Sequence, residues 1–158
     1  MRKRVLCLLF AIATLMTSAA FAAAQKPRAS VPASEVNGTF KSYFKGKFKS
    51  ESNDLKIWAL GGGKLHIGFD LLYPYVVNGE LSANMGYLDD TVPIKGDTAV
   101  YESTEFGTCK ITIKFVKPGT VKVTQEGSDA DCGFGHNVFA WGTYKKVSSK
   151  KPKFDTPK

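Results

Sequence analysis

From residue 39 onward, apolar and polar side chains alternate. Phe40, Ser42 and Phe44 interleave with Thr39, Lys41 and Tyr43, and Leu55, Ile57 and Ala59 with Lys56 and Trp58. After Gly61-Gly62-Gly63, Leu65, Ile67, Phe69 and Leu71 interleave with Lys64, His66, Gly68 and Asp70. Leu81, Ala83, Met85 and Tyr87 then oppose Glu80, Ser82 and Asn84. A shorter stretch, Thr98 to Glu102, follows the turn at Lys95-Gly96-Asp97. Cys109, Ile111, Ile113 and Phe115 alternate with Lys110, Thr112 and Lys114, and Lys117-Pro118-Gly119 turns the chain into Val121, Val123 and Gln125. Residues 136–146 form the last such run. A period of two places alternate side chains on opposite faces, so these runs predict half-buried antiparallel strands joined by hairpins. No window of residues 25–158 carries a 3.6-residue apolar stripe.

Seven or eight such strands in about 112 residues predict an all-β domain, an antiparallel up-and-down β-barrel of about eight strands, with a β-sandwich as the alternative. Gly38-Thr39-Phe40-Lys41 at the start is echoed by Gly142-Thr143-Tyr144-Lys145 at the end. Similar first and last strands lying side by side would close the sheet and remove both edges, which favours the barrel.

The first 24 residues change the picture of where the protein works. Arg2, Lys3 and Arg4 precede an apolar run from Val5 to Met16 and the small residues Ala20, Ala22, Ala23 and Ala24. A basic start, an apolar core too short to cross a bilayer and small residues before the cut predict a cleavable signal peptide over residues 1–24 and a periplasmic or secreted protein starting near Ala23 or Gln25. Residues 25–35, with Pro27 and Pro32, read as a flexible lead-in; 36–147 as the β-barrel domain; and 148–158 as a basic disordered tail. Dividing the net charge of +8 among these segments removes the case for a nucleic-acid-binding face. Residues 36–147 hold thirteen Lys against twelve Asp and Glu, and the excess of cations sits in the signal segment and the tail. The Lys-rich tail is a candidate for weak contact with an anionic envelope surface.

Cys7 lies in the signal segment, leaving Cys109 and Cys132 as an even pair in an oxidising compartment, where a disulfide is expected. With His66 and His136 they match no metal-ligand spacing, so neither a metal nor a cofactor is expected. Gly61-Gly62-Gly63-Lys64 lacks the Ser or Thr and the helix of a phosphate loop and reads as a hairpin turn. No G-x-S-x-G elbow occurs, and Asp129-Ala130-Asp131 lacks the rest of a calcium loop. His66 shares its polar face with Lys64 and Asp70 and is expected at the surface, and His136 at a rim.

Two aromatic groups stand out as binding candidates. In residues 71–77, Pro74 interrupts a strand pattern, so Tyr73 and Tyr75 are expected in a connection, as a lip that meets a ligand or as a plug over one barrel end. On the final strand, Val138, Ala140, Gly142 and Tyr144 share one face, leaving Phe139 and Trp141 on the other as an outer aromatic patch that Trp58 would extend. The signal segment, the short meander, and Cys132-Gly133-Phe134-Gly135 leading into Gly142-Thr143-Tyr144-Lys145 resemble small calycin-like barrels secreted by bacteria. That resemblance implies a binding role, because some such barrels hold lipidic or aromatic ligands and others inhibit lysozyme. The Ser-Gly-x-x-Tyr type of loop found in such inhibitors is absent from this sequence. The expected function is therefore non-enzymatic binding of a small apolar or aromatic ligand at a barrel mouth. The alternatives are an inhibitor of, or partner for, a secreted hydrolase, and an isomerase or cyclase using the barrel cavity.

Overall fold

A computed structural model describes residues 28–154; the expected signal segment and residues 155–158 lie outside the described residues. Eight antiparallel strands follow one another around a closed up-and-down barrel. They are β1 (Gly38–Tyr43), β2 (Ser52–Gly61), β3 (Lys64–Val77), β4 (Glu80–Lys95), β5 (Thr98–Ser103), β6 (Cys109–Lys117), β7 (Thr120–Glu126) and β8 (Gly142–Ser148). Closure comes from β1 pairing with β8, with Phe40 opposite Lys146 and Lys41 opposite Lys145, the two segments whose sequences echo each other.

The alternation decides what fills the barrel. Phe40, Leu55, Ile57, Ile67, Ile111 and Ile113 are fully buried, and Phe69, Phe115, Val121, Val123 and Tyr144 complete a packed interior. Each large apolar side chain so buried stabilises the fold by about 1.5–3 kcal/mol relative to exposure. Tyr144 donates its hydroxyl to the Ala140 carbonyl at 2.8 Å, and its ring meets that of Phe69 edge-on. Burial pushes the Tyr144 phenol well above its ordinary value, so it remains a neutral donor.

One barrel end is covered by the segment expected to be a loose lead-in. Arg28 pairs with Glu35 at 2.7 Å and donates to the Phe115 carbonyl at 2.7 Å, while its backbone N–H reaches Asp97. Val36 is buried and Val31 packs on the core beside it, carried by a one-turn helix α1 (Ala33–Val36). Four helical residues are too few to leave a periodic signature, and the anchoring ion pair spans only seven residues.

Two prolines set the barrel's irregular side. The β3–β4 ladder runs from Lys64 opposite Pro93 to Val77 opposite Glu80, straight through Pro74, so residues 71–77 form a strand and not the expected connection. The Leu72 N–H points away from β4, to Asn53 Oδ1 on β2 at 2.8 Å. Pro74, two residues on, shares that direction, and β2 begins only at Ser52 opposite Tyr43 of β1. The missing N–H therefore falls where no ladder partner exists. Pro93 has the opposite consequence. The Met85 carbonyl accepts from Gly135 on the side away from β3, so odd-numbered residues of β4 face β5, and Pro93 has no N–H to give it. β4 and β5 pair only at Ile94–Ala99 and Lys95–Thr98. Beyond the wall, β3 and β4 continue as a projecting hairpin arm.

The tail also departs from expectation. Residues 149–154 cross the outer wall: Lys151 lies over the Trp58 ring, and Phe154 stacks on His66 with centroids 3.7 Å apart. The ring of Phe154 rests against Gly68, where an added Cβ would meet it at 3.3 Å. An aromatic ring gains more on an apolar seat than in water, which holds the described part of the tail on the domain. His66 lies at the surface, as expected, in contact with Asp89.

Candidate binding site at the barrel rim

The rim opposite the lead-in is organised by the long connection from β7 to β8. Cys109, at the start of β6, is bonded to Cys132 in this connection. Asp129 accepts from the backbone N–H groups of Asn137 at 2.5 Å and Ala130 at 2.8 Å, and Asp131 from the Ser128 N–H and hydroxyl. These hydrogen bonds hold both carboxyls below their usual range, Asp129 chiefly through Asn137 and Asp131 through Ser128. This acidic loop is thus folded around its own carboxylates. His136 stands at the rim, 3.7 Å from Asp129 and mostly exposed.

The connection then seals the barrel. Phe134, Val138 and Ala140 are buried. Phe134 and Val138 fit against Gly86 of β4 so closely that a Cβ there would lie 2.9 Å from each. Ala140 is pinned by its N–H to Gln125 Oε1 at 2.9 Å. The alternation expected for residues 138–141 survives even though regular pairing begins only at Gly142: Val138 and Ala140 turn in, and Phe139 and Trp141 turn out. These two rings stack with centroids 4.2 Å apart and planes within 5°.

Beside that aromatic pair lies an open cleft of about 370 Å³. Its walls include Phe139 and Trp141 from the connection, Tyr73 and Leu72 from β3, and Tyr43 and Phe44 at the end of β1. Asn53, Ser42, Asn137 and the two tyrosines bring polar side chains to it, and no charged side chain lines it. Asn53 fixes the floor: it is 8% exposed, accepts from Leu72 N–H and points its amide at the Phe139 carbonyl, 3.5 Å away. Tyr73 and Trp141 are 41% and 56% exposed, so the cleft opens to solvent.

Three of the four residues singled out from the sequence, Tyr73, Phe139 and Trp141, thus meet in one place. Tyr75 does not; it sits farther along the arm, opposite Ser82 and half-buried. Trp58 is likewise separate, under the tail on the outer wall. Sequence reasoning missed Tyr43, Phe44, Asn53 and Asn137. Phe44 and Tyr43 looked like ordinary strand residues, and Asn53 is distinguished only by its place among apolar inward positions, before Leu55 and Ile57. Among the described residues no three His, Cys, Asp or Glu converge in a way that could hold a metal. Comparison with known proteins finds no family model, curated protein or solved structure that matches this chain.

Proposed function

We propose that this is a secreted or periplasmic binding protein that acts without an enzymatic step and takes a small ligand presenting an apolar or aromatic face into the rim cleft. The observation that carries this reading is the convergence of Tyr73, Phe139 and Trp141 on one open cleft, while side chains fill the barrel interior. A ligand would therefore bind at the rim and not inside the barrel. A few polar atoms set among aromatic faces are the usual composition of a small-ligand site. The uncharged lining favours binding over an isomerase or cyclase chemistry, which needs a group to move a proton. The disulfide is compatible with an extracytoplasmic compartment, and the signal-like first 24 residues support secretion. The up-and-down closure is in keeping with a calycin-like affiliation, which stays part of the proposal, as does weak envelope contact through the tail lysines.

A second reading, a partner for or inhibitor of a secreted hydrolase, is favoured by the arm itself. Val76, Leu81, Met85 and Tyr87 are all exposed on it, each above 40%. Register puts Val76 opposite Leu81 and Leu72 opposite Met85 on one face, giving a strip of apolar side chains of which Val76, Leu81 and Met85 are exposed.

Native mass spectrometry of the protein taken from its own secretory compartment separates the two. An added mass of small-molecule size, lost on denaturation and absent from a Tyr73→Ala/Trp141→Ala variant, is the expected result. Added mass of protein size that survives in that variant would favour the arm, and a bare chain in both would count against the cleft.

A further inference from the structure

We infer that the rim cleft recognises a neutral pyranose sugar, as a short oligosaccharide or the end of a glycan; this rests on the cleft being the binding site. The Phe139 and Trp141 rings stack face to face with planes within 5°, so each braces the other and an outer ring face of this aromatic slab is what a ligand can lie on. Other lining residues are of a different kind. Asn137, Ser42, Tyr43 and Tyr73, all with polar side chains, line the same cleft, and no side-chain hydrogen bond occupies them among the described residues. Asn137 holds a positive φ of 61°, a conformation fixed by its backbone N–H bond to Asp129, so its amide is presented from a rigid turn.

This combination selects by chemistry. A hydrocarbon ligand would strip water from four polar side chains and give them nothing in return. A charged ligand would meet no counter-charge, since no lysine, arginine, aspartate or glutamate lines the cleft. A neutral pyranose ring has what both walls need: a face of C–H bonds to lie on the aromatic slab, and an edge of hydroxyls that donate to the Asn137 carbonyl oxygen and accept from its NH2 and from the Ser and Tyr hydroxyls. The cleft volume of about 370 Å³ falls within the small-ligand range, and its open side lets a longer chain continue outward.

The test uses the mature chain carrying Trp58→Phe, which leaves Trp141 as the sole tryptophan emitter, with calorimetry on the unsubstituted chain as a second measurement. Cellobiose, lactose, maltose, mannobiose and N,N′-diacetylchitobiose are titrated alongside cyclohexanol, an apolar ring of similar breadth. Saturable change in Trp141 emission with at least one disaccharide is expected, insensitive to added salt and weakened about tenfold by Asn137→Ala, as for one lost hydrogen bond. Saturation by cyclohexanol with no response to any disaccharide would overturn the sugar assignment and leave the cleft as a site for apolar ligands. No response to any probe by either method would overturn both. A disaccharide bound equally well by Asn137→Ala and Trp141→Ala chains would lie outside the cleft and overturn the assignment too.

Discussion

Replacing Cys109 and Cys132 together by alanine removes the tie between the start of β6 and the connection that forms the rim. The two cysteines are 23 residues apart, and releasing a loop of that length restores about 3 kcal/mol of entropy to the unfolded chain. Repacking adds little, because both residues are small and sit at the edge of the core with 1% and 9% exposure. For a domain of this size, such a loss lowers the melting temperature by about 10 °C. Urea unfolding at pH 7, followed by tryptophan emission on the oxidised wild type and the double variant, measures it. The midpoint should fall and the slope with urea should rise, since the unlinked chain expands further when unfolded. A loss below about 0.5 kcal/mol would refute the reasoning. It would mean that the unlinked chain, when unfolded, already stays about as restricted as the linked one.

Other expectations follow from single contacts. Ending the chain after Ser149 removes Phe154 from Gly68 and Lys151 from Trp58; the barrel should persist, about 1 kcal/mol less stable, with Trp58 emission shifted to longer wavelength, and an unshifted spectrum would contradict the docked tail. Gly86→Ala forces a Cβ to within 2.9 Å of Phe134 and Val138 and should cost about 1–3 kcal/mol as overpacking, which thermal unfolding would read. Asp97 is pushed up by burial, but the Thr98 hydroxyl, the Arg28 N–H and the nearby Lys114 charge together hold it below the usual carboxylate value. Its contribution is therefore present above the ordinary carboxylate range and lost as pH falls through its lower folded value. Asp97→Asn should accordingly flatten the acid limb of the stability profile, and an unchanged limb would show that Asp97 titrates normally.

The barrel was legible because period two is a local property that each strand repeats and that burial enforces. The closing pair was legible through the repeated Gly-Thr-aromatic-Lys segments of β1 and β8. What sequence reasoning misplaced depends on contacts across long separations. Pro74 reads as a strand breaker until the absence of a β2 neighbour at that height shows that its N–H is not needed. Phe154 and Gly68 are 86 positions apart, and nothing near either residue announces that a ring will sit on that glycine. Arg28 anchors the lead-in to Phe115 and Asp97 through atoms that no composition count reveals. In the cleft, the protruding aromatics were readable as outward residues of apolar segments. The amides that complete it, Asn53 and Asn137, were not, since a buried or strained asparagine looks like any other in a sequence.

The most direct test of a rim site is a map of amide shift changes on isotope-labelled protein titrated with the disaccharide or apolar probe that binds. Changes gathered at Ser42, Tyr43, Asn53, Leu72, Asn137 and Trp141 are expected, with the barrel-interior amides of Ile57, Ile67 and Ile113 unmoved. Changes centred on the interior residues, or along the outer face of the arm with none at the cleft, would contradict the account.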